Sequence, residues 1–567
     1  METRRFILAL SLSLIVFVLY VRFFAPKPPE HPPVPEAAKQ EAAPGAQKEE
    51  MPGARTGSLP GAAAKKIEQA AKGRDIVVET DLVRAVVNTA GGVISGLELK
   101  NYREADKTPV GIGVLYDKIM GRGPKEVKPK KELGNVQLVP FYEGLGRQEM
   151  TAPLTLTPLD KDLGALSRVE YRASAEALKL SKDKPTETLV LTYTGPAGIV
   201  IEKRLTFHND NYKIDVAVAT KGFDGYDLAL GTDFGLADKV SKDAAGRVGM
   251  VALVDGKTVN DKIAKIKGET SLSGVIGWFG QEDKYFTATM IYGDQGIVTA
   301  RRTPAPPEIG DLLATDLRVK EKPEQRSYGL YAGPKSYTLL QAEGHGLEQV
   351  VDYGWFGILA RPMFWLMQQF FRFTGNYGVA IILLTIVVRM LLFYPSLKSA
   401  TAMEEMKRIQ PQLTALREKY KKDPQRMNAE MMKLYKEHKV NPLGGCLPMV
   451  LQLPFFVALY NVLSVSIELR QSPFLSFWIK DLSVHDPYYI LPVLMGVSMV
   501  FTMKMTSTSV DPQQQKIMMF MNIAFIFLFA WLPAGLLLYI TLSNLLSIVQ
   551  QLYVRRIIGT SAAAPAR

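Results

Sequence analysis

The sequence is poor in the residues from which disulfides, metal sites and most catalytic centres are built. Among 567 residues it has one cysteine, Cys446, and five scattered histidines. A single cysteine excludes an intrachain disulfide and a cysteine-rich zinc site, and the scattered histidines argue against a histidine metal cluster. The chain also has no Walker-type phosphate loop, HExxH motif or nucleophile elbow. The sequence therefore predicts a protein that is not an enzyme and that uses no metal or other cofactor.

The apolar residues are concentrated at the two ends of the chain. The N-terminal run 6–24 follows Arg4 and Arg5 and is a nearly unbroken apolar run. At 1.5 Å per residue this run reaches roughly 28 Å, close to the hydrocarbon thickness of a bilayer. A signal peptide needs small residues before its cleavage site, but Phe23 and Phe24 stand there. We therefore interpret residues 1–24 as a retained transmembrane anchor.

The C-terminal third predicts five further spans, which makes six with the anchor. Several of them are short, and a short span is accommodated by local thinning of the bilayer. The candidate spans are 378–394, 443–466, 488–501, 517–531 and 536–554.

The distribution of basic residues predicts the orientation. Segment 395–441 is densely basic, whereas the loop 467–486 carries only Arg470 and Lys480. Because lysine and arginine accumulate in short cytoplasmic loops, we place 395–441 in the cytoplasm. Both termini, including the tail 557–567, are then cytoplasmic as well.

The region between the first two spans is predicted to lie outside the cytoplasm in three parts. Residues 25–74 read as a flexible Pro/Ala-rich linker. Residues 75–345 contain short β-branched and aromatic runs between turn residues, which is typical of a large antiparallel β-sandwich. Residues 346–374 mix aromatic and basic residues and predict an amphipathic helix in the outer headgroup layer, with a linker packed on the sandwich as the alternative. Predicted strands include 76–78, 82–87, 189–193, 199–207, 213–218, 285–292 and 326–331.

A helical hairpin is predicted over 398–440, within the basic cytoplasmic segment. Apolar residues recur every three or four positions in two runs, and Asp423 and Pro424 separate the runs. The basic outer faces would touch anionic lipid headgroups, and we expect the hairpin also to act as a mobile lid that meets incoming chains or ribosomes. The seam residues are Met406, Ile409, Leu413, Leu416 and Tyr420, then Met427, Met431, Leu434 and His438.

Arg389 lies inside the apolar segment 381–393, and the predicted spans contain no aspartate, glutamate or histidine. A central arginine costs roughly 2.5–3.5 kcal/mol on insertion scales, so it usually faces water or a partner. One alternative is that its side chain snorkels to the cytoplasmic interface. Other polar residues in the spans favour a hydrated pocket open to the cytoplasm, namely Thr385, Gln452, Asn461, Asn522, Ser543 and Asn544.

Several stretches of the C-terminal third resemble the YidC family of membrane protein insertases. The resemblance covers 375–556, and the anchor and outer domain resemble the Gram-negative form. The matching stretches are VNPLGGCLPMVLQLPFFVALY (440–460), ELRQSPF (468–474), DPYYILPVLMG (486–496), DPQQQKIM (511–518) and WLPAGLLLYITLSNLLSIVQQ (531–551).

The resemblance implies a polytopic α-helical membrane protein of the bacterial inner membrane. Its periplasmic domain would be a β-supersandwich similar in shape to sugar mutarotases. It would insert and help fold inner-membrane proteins, alone or beside the SecYEG translocon. Implied partners are nascent membrane proteins, SecYEG with accessory Sec proteins, ribosomes, signal recognition components and anionic lipids, but no nucleic acid substrate.

The resemblance also implies a hydrophilic groove that admits substrate from the cytoplasm and releases it sideways past the third and fifth spans. Ile540 stands where a second tyrosine is familiar in the family. A secondary transporter and a membrane-anchored sugar-processing or sugar-binding protein remain the alternatives. The groove residues would be Arg389, Thr385, Gln452, Asn522 and Tyr539, and the substrate-contact residues Val450, Pro454, Phe456, Met521, Phe525 and Leu528.

Overall fold

A computed structural model describes most of the chain after residue 72. The predicted anchor 1–24, nearly all of the linker 25–74 and the end of the tail lie outside the described residues. The side chains of Val450 and Met521 also lie outside them. The described ranges are 73–104, 133–142, 150–237, 247–306, 309–320, 325–438, 447–506 and 512–562.

The region 75–334 is built of β-strands, as the alternating pattern predicts. Burial alternates along β1 and β9, so one face of each strand packs inward. Each of the predicted strands falls within or overlaps an observed one. In chain order they are β1 (Asp75–Glu79), β2 (Val83–Asn88), β3 (Val93–Arg103), β4 (Asn135–Gln137), β5 (Leu156–Pro158), β6 (Arg172–Ala173), β7 (Ala177–Lys179), β8 (Thr186–Thr194), β9 (Val200–His208), β10 (Lys213–Lys221), β11 (Tyr226–Thr232), β12 (Gly249–Val254), β13 (Lys257–Lys262), β14 (Glu269–Glu282), β15 (Phe286–Thr303), β16 (Leu312–Val319) and β17 (Arg326–Pro334).

These strands form two sheets. The smaller has the order β4-β3-β2-β1-β7 and is antiparallel except for the β1–β7 pair. The larger runs β13-β12-β14-β15-β17-β10-β9-β8-β6, with β11 joined to it through β16. Trp278, Phe279 and Phe286 are fully buried in this domain. The predicted β-rich domain is confirmed.

Lys203 is a buried cation that links the two sheets. It lies on β9, and its ammonium donates to the carbonyls of Gly91 (2.7 Å), Gly92 (3.1 Å) and Leu154 (2.8 Å). Gly91 and Gly92 belong to the turn between β2 and β3, in the other sheet. Desolvation disfavours the charged form, and burial lowers the pKa of Lys203 to about 7.

The chain after β17 is helical. Gly375, with φ of +64°, ends the second helix in a left-handed conformation that suits glycine. Asn376 then caps the third helix by accepting the Val379 amide hydrogen (3.2 Å). The helices are α1 (Tyr337–Glu343), α2 (Gly357–Thr374), α3 (Tyr377–Leu391), α4 (Phe393–Arg408), α5 (Gln410–Lys419), α6 (Pro424–Glu437), α7 (Leu447–Val465), α8 (Ile490–Thr506), α9 (Pro512–Phe529) and α10 (Ala534–Ala562).

Among the described helices, α10 alone has both the length and the apolar character of a span, over Ala534–Val554. The pair α3 and α4 qualifies only when joined, and the two helices are bent by 63°. The apolar parts of α7 and α8 are shorter. Six spans therefore stay a prediction.

The prediction of one continuous span over 378–394 is wrong at its C-terminal end. The helix ends at Leu391, and a new helix starts at Phe393. Pro395 explains the break, since it has no N–H for the Leu391 carbonyl and its ring would clash there.

The first run of the predicted hairpin is also interrupted. Met406 belongs to α4, whereas Leu413 belongs to α5. Pro411 lies in the first turn of α5, where a backbone N–H has no partner within the helix, so the missing N–H of proline does not weaken the helix. Helices α5 and α6 nevertheless contact each other through an apolar cluster. Its members are Ile409, Leu413, Met406, Met431, Leu434 and Tyr435.

Replacing Lys203 by methionine should remove a pH dependence of stability. The folded-state pKa near 7 lies below the ~10.4 of an unfolded lysine, so unfolding takes up a proton between these values. The free energy of unfolding of the wild type should then rise by up to roughly 1.4 kcal/mol per pH unit from pH 7 to 9, and Lys203→Met should lack that rise. Urea titrations at both pH values, read by protease resistance of the β-domain, measure this. Lys179→Met on the exposed edge of β7 is the control, and equal slopes in all three proteins would contradict the assignment.

Candidate functional site

A cavity of about 430 Å³ lies among helices α3, α4, α7, α8 and α10. Helix α3 contributes one residue to the lining of the cavity, and each of the other four helices contributes two or more. The lining residues are Arg389; Ser396, Ala400, Met403, Glu404 and Lys407; Gln452, Leu453 and Phe456; Thr502 and Met505; and Asn544, Ser547, Gln550, Gln551 and Val554.

Arg389 borders this cavity from the last turn of α3. Its guanidinium donates to the backbone carbonyl of Ser543 on α10 at 2.6 Å. Among the described residues, no carboxylate oxygen lies within ion-pair distance of it. The side chain therefore borders a cavity that has both polar and apolar side chains in its lining. The hydrated pocket and the snorkelling alternative stay predictions.

Two charged residues that sequence reasoning left out also line the cavity. Glu404 and Lys407, one turn apart on α4, form an ion pair at 3.0 Å. Lys407 also donates to the Met505 carbonyl and so ties α4 to α8. The signal was present in the sequence, since Ser396, Ala400, Met403 and Lys407 recur every three or four residues on one face of α4. Positions 400, 403 and 407 lie within the predicted hairpin 398–440 instead.

Of the five predicted groove residues, Arg389 and Gln452 meet in the cavity. Thr385 is fully buried, and its hydroxyl donates to the Ile381 carbonyl at 2.6 Å within its own helix. Tyr539 is 1% exposed and lies beside Arg389. The Asn522 amide is 3.2 Å from the Met503 sulfur. Thr385, Tyr539 and Asn522 do not line the cavity, and their roles in the groove stay predictions.

The predicted substrate-contact residues are dispersed over α7 and α9. Phe456 lines the cavity, while Pro454 is half-buried within α7. Phe525 stacks on Phe529, with 5.4 Å between ring centroids. Leu528 is 62% exposed. Asn461 of α7 has a structural role that the sequence did not reveal. Its amide donates to the Tyr353 carbonyl at 2.7 Å and so links α7 to the segment before α2.

A β-rich domain followed by apolar helices that enclose charged and amide side chains indicates a membrane protein with polar residues among its helices. Two family models match the chain: "60Kd inner membrane protein" over residues 369–561 and "YidC periplasmic domain" over residues 130–366. The membrane protein insertase YidC of Geobacter metallireducens is 34% identical over 570 residues, covering 99% of each chain. The chain belongs to the YidC family of membrane protein insertases, inner-membrane proteins with a periplasmic domain.

Solved structures give weaker likenesses. A crystal structure of an active YidC insertase with its first transmembrane domain resolved covers 84% of this chain and 94% of its own, at 19% identity and a TM-score of 0.35. A galactose mutarotase related enzyme from Lactobacillus acidophilus covers 46% of this chain and 97% of its own, at 10% identity and a TM-score of 0.27. Family membership rests on the curated relatives. It makes this protein an insertase rather than an enzyme and disfavours the transporter and sugar-processing alternatives.

Cysteine accessibility should separate cavity-lining positions from buried ones. In a Cys446→Ala background, Gln452→Cys and Ser547→Cys should react with a membrane-impermeant maleimide added from the side to which the cavity opens. Thr385→Cys, which is shielded from water, should react at least about tenfold more slowly because only a solvated thiolate attacks. Labelling rates followed by gel shift measure this. Fast labelling of Thr385→Cys, or none at the two lining positions, would contradict the cavity.

Proposed function

We propose that this insertase receives a polar segment of its client in the cavity beside Arg389 and passes the client's apolar segment into the lipid. The observation that carries the proposal is the Arg389 guanidinium, which is bonded to the Ser543 carbonyl and borders a cavity with amide and hydroxyl side chains in its lining. A cation without a described acidic partner attracts carboxylates of the client. The cavity can therefore lower the cost of moving an acidic outer tail across the membrane.

The polar lining supports this route. A polypeptide that enters hydrocarbon must satisfy every backbone N–H and C=O, and each unsatisfied group costs several kcal/mol. Amides and hydroxyls of Gln452, Thr502 and Asn544 line the cavity and can replace water as partners. The client then keeps hydrogen bonds while it leaves the aqueous phase.

Short helices support a thinned bilayer beside the cavity. The apolar part of α7 spans Leu451–Val465 and that of α8 spans Ile490–Met505. At 1.5 Å per residue these lengths are roughly 22–24 Å, against a hydrocarbon core of about 30 Å. A shorter apolar path lowers the barrier for a polar segment.

The driving force comes from the client itself. Burial of its apolar surface in lipid contributes about 25 cal/mol per Å². The membrane potential contributes about 2.3 kcal/mol per charge moved through 100 mV. An insertase working in this way needs no nucleotide.

Exposed apolar side chains on α8 and α9 support a lateral exit. Val497 is 63% exposed, Phe520 72% and Leu528 62%. Such a surface is stable only against lipid or an apolar client helix. In this proposal a client helix leaves the cavity along α7 and α9 and partitions into the bilayer.

The finer topology and the partners belong to the same proposal. The protein would cross the inner membrane six times with both termini in the cytoplasm. Helix α4 lines the cavity and leads directly into α5 and α6, which supports a lid role for the basic hairpin. Ribosomes, signal recognition components and anionic lipids would meet that hairpin, and the SecYEG translocon with its accessory proteins would share clients.

Replacing Arg389 by leucine should impair insertion of clients with acidic outer tails, because the cavity loses its attraction for carboxylates. Arg389→Lys should retain much of the activity, since the charge is kept. Protease protection of the translocated tail in membrane vesicles measures insertion. A client of the same length with a neutral tail is the control and should be affected less. Equal insertion of both clients by the leucine variant would argue against a role for the cavity charge.

Photo-crosslinking should map the route of the client. A photoreactive amino acid at Phe456 or Leu528 should crosslink to a stalled nascent membrane protein, since one lines the cavity and the other is exposed on α9. The matched control is Ala458, which lies two residues from Phe456 and is fully buried. Crosslinks that are as strong from position 458, or absent from both test positions, would refute the route.

A further inference from the structure

A second cavity, of about 190 Å³, lies between α1 and α2, next to the β-domain. Tyr337, Tyr353 and Phe364 line it and form an aromatic cluster with ring centroids 6.1–6.3 Å apart. At about 30 Å³ per water molecule the space holds roughly six waters, which suits a small polar group. None of the insertase steps above uses this cavity.

The rim of this cavity is cationic. Arg361, Trp365, Gln368 and Arg372 line it at spacings of four, three and four residues, along one stripe of α2. Gln368 donates to the Thr338 hydroxyl of α1 at 3.0 Å and holds the two helices together. No carboxylate stands among the described lining residues. Within the described part of the chain, neither arginine has an ion-pair partner.

The acidic residue behind the aromatic cluster does not cancel this charge. Glu468 interacts electrostatically with Tyr353 but does not line the cavity. Its carboxylate accepts the Ser336 hydroxyl hydrogen at 2.9 Å, and burial raises its pKa. An incoming anion therefore meets the two guanidinium groups of the rim.

Apolar side chains flank the same stripe. Ile358 is 85% exposed, Phe373 86% and Trp365 60%. Helix α2 ends at Thr374, and only Gly375 and Asn376 separate it from the apolar helix α3. Exposed large apolar groups beside basic ones are typical of a helix at a lipid surface.

We propose that the cavity between α1 and α2 binds the headgroup of an anionic phospholipid of the outer leaflet. Arg361 and Arg372 attract the phosphate charge, and the amide of Gln341 bonds a headgroup oxygen. The Gln368 amide stays bonded to Thr338. The acyl chains lie over Ile358 and Phe373. A free phosphate ion would also be attracted by the two arginines. It has no apolar part to contact Ile358 and Phe373, so the surface favours a lipid as the occupant. The inference rests on α2 lying in the outer headgroup layer and is independent of the client route.

Native mass spectrometry of the full-length protein in detergent tests this site. The probes are phosphatidylglycerol, which is anionic, and phosphatidylcholine of the same acyl chains, which has no net charge. The wild type should retain phosphatidylglycerol preferentially. Loss of two charge-assisted contacts in Arg361→Gln/Arg372→Gln should weaken this binding about tenfold, and Arg361→Lys/Arg372→Lys should restore part of it.

Two controls make the result decisive. Lys480→Gln removes an exposed basic residue from a loop on the same predicted side and should leave binding unchanged. Gln341→Trp fills the cavity and should lower phosphatidylglycerol binding while both arginines remain. Displacement of the lipid by millimolar inorganic phosphate would assign the site to a free anion and overturn the lipid proposal. Equal retention of the two lipids, or equal losses in Lys480→Gln, would overturn it as well.

Discussion

The helical core depends on the placement of one guanidinium group among apolar helices. Arg389 cannot lose its charge at physiological pH, so the surrounding helices must supply polar partners. The Ser543 carbonyl is one such partner, and the lining of the cavity supplies further polar groups. The bend at Pro395 separates α4 from α3, and Glu404 and Lys407 of α4 line the same cavity. Among the described residues, the Arg389 guanidinium and the Glu404–Lys407 ion pair thus lie in the lining of one cavity.

The β-domain and the helical core meet through the short segment after α7. The Ser336 hydroxyl, just beyond β17, donates to the half-buried Glu468 carboxylate at 2.9 Å. The Gln471 amide donates to the carbonyl of Glu104 at 2.9 Å, at the end of β3. Arg470 lies over the Phe286 ring, 5.4 Å from its centroid. These contacts combine a desolvated carboxylate, a backbone bond and a cation–π interaction, so they fix the segment against the β-domain.

Much of the fold was predictable because its signals are local. The alternation in 199–207 predicts β9, and the apolar run from residue 378 predicts most of α3. The errors occurred where proline competed with the apolar pattern. Pro395 and Pro411 each lie in the first turn of a new helix, inside a run that the apolar pattern alone predicts as continuous.

For the site, the sequence by itself determined which helices carry polar residues and that Arg389 needs a polar environment, because burial of a charge is costly wherever it occurs. Only the tertiary structure decided which of those residues meet. Gln452 and Phe456 border the cavity, whereas Thr385 bonds within its own helix and Tyr539 is packed away. The physical reason is that the rotation of each helix about its axis is fixed by packing against its neighbours, and no local pattern encodes that angle.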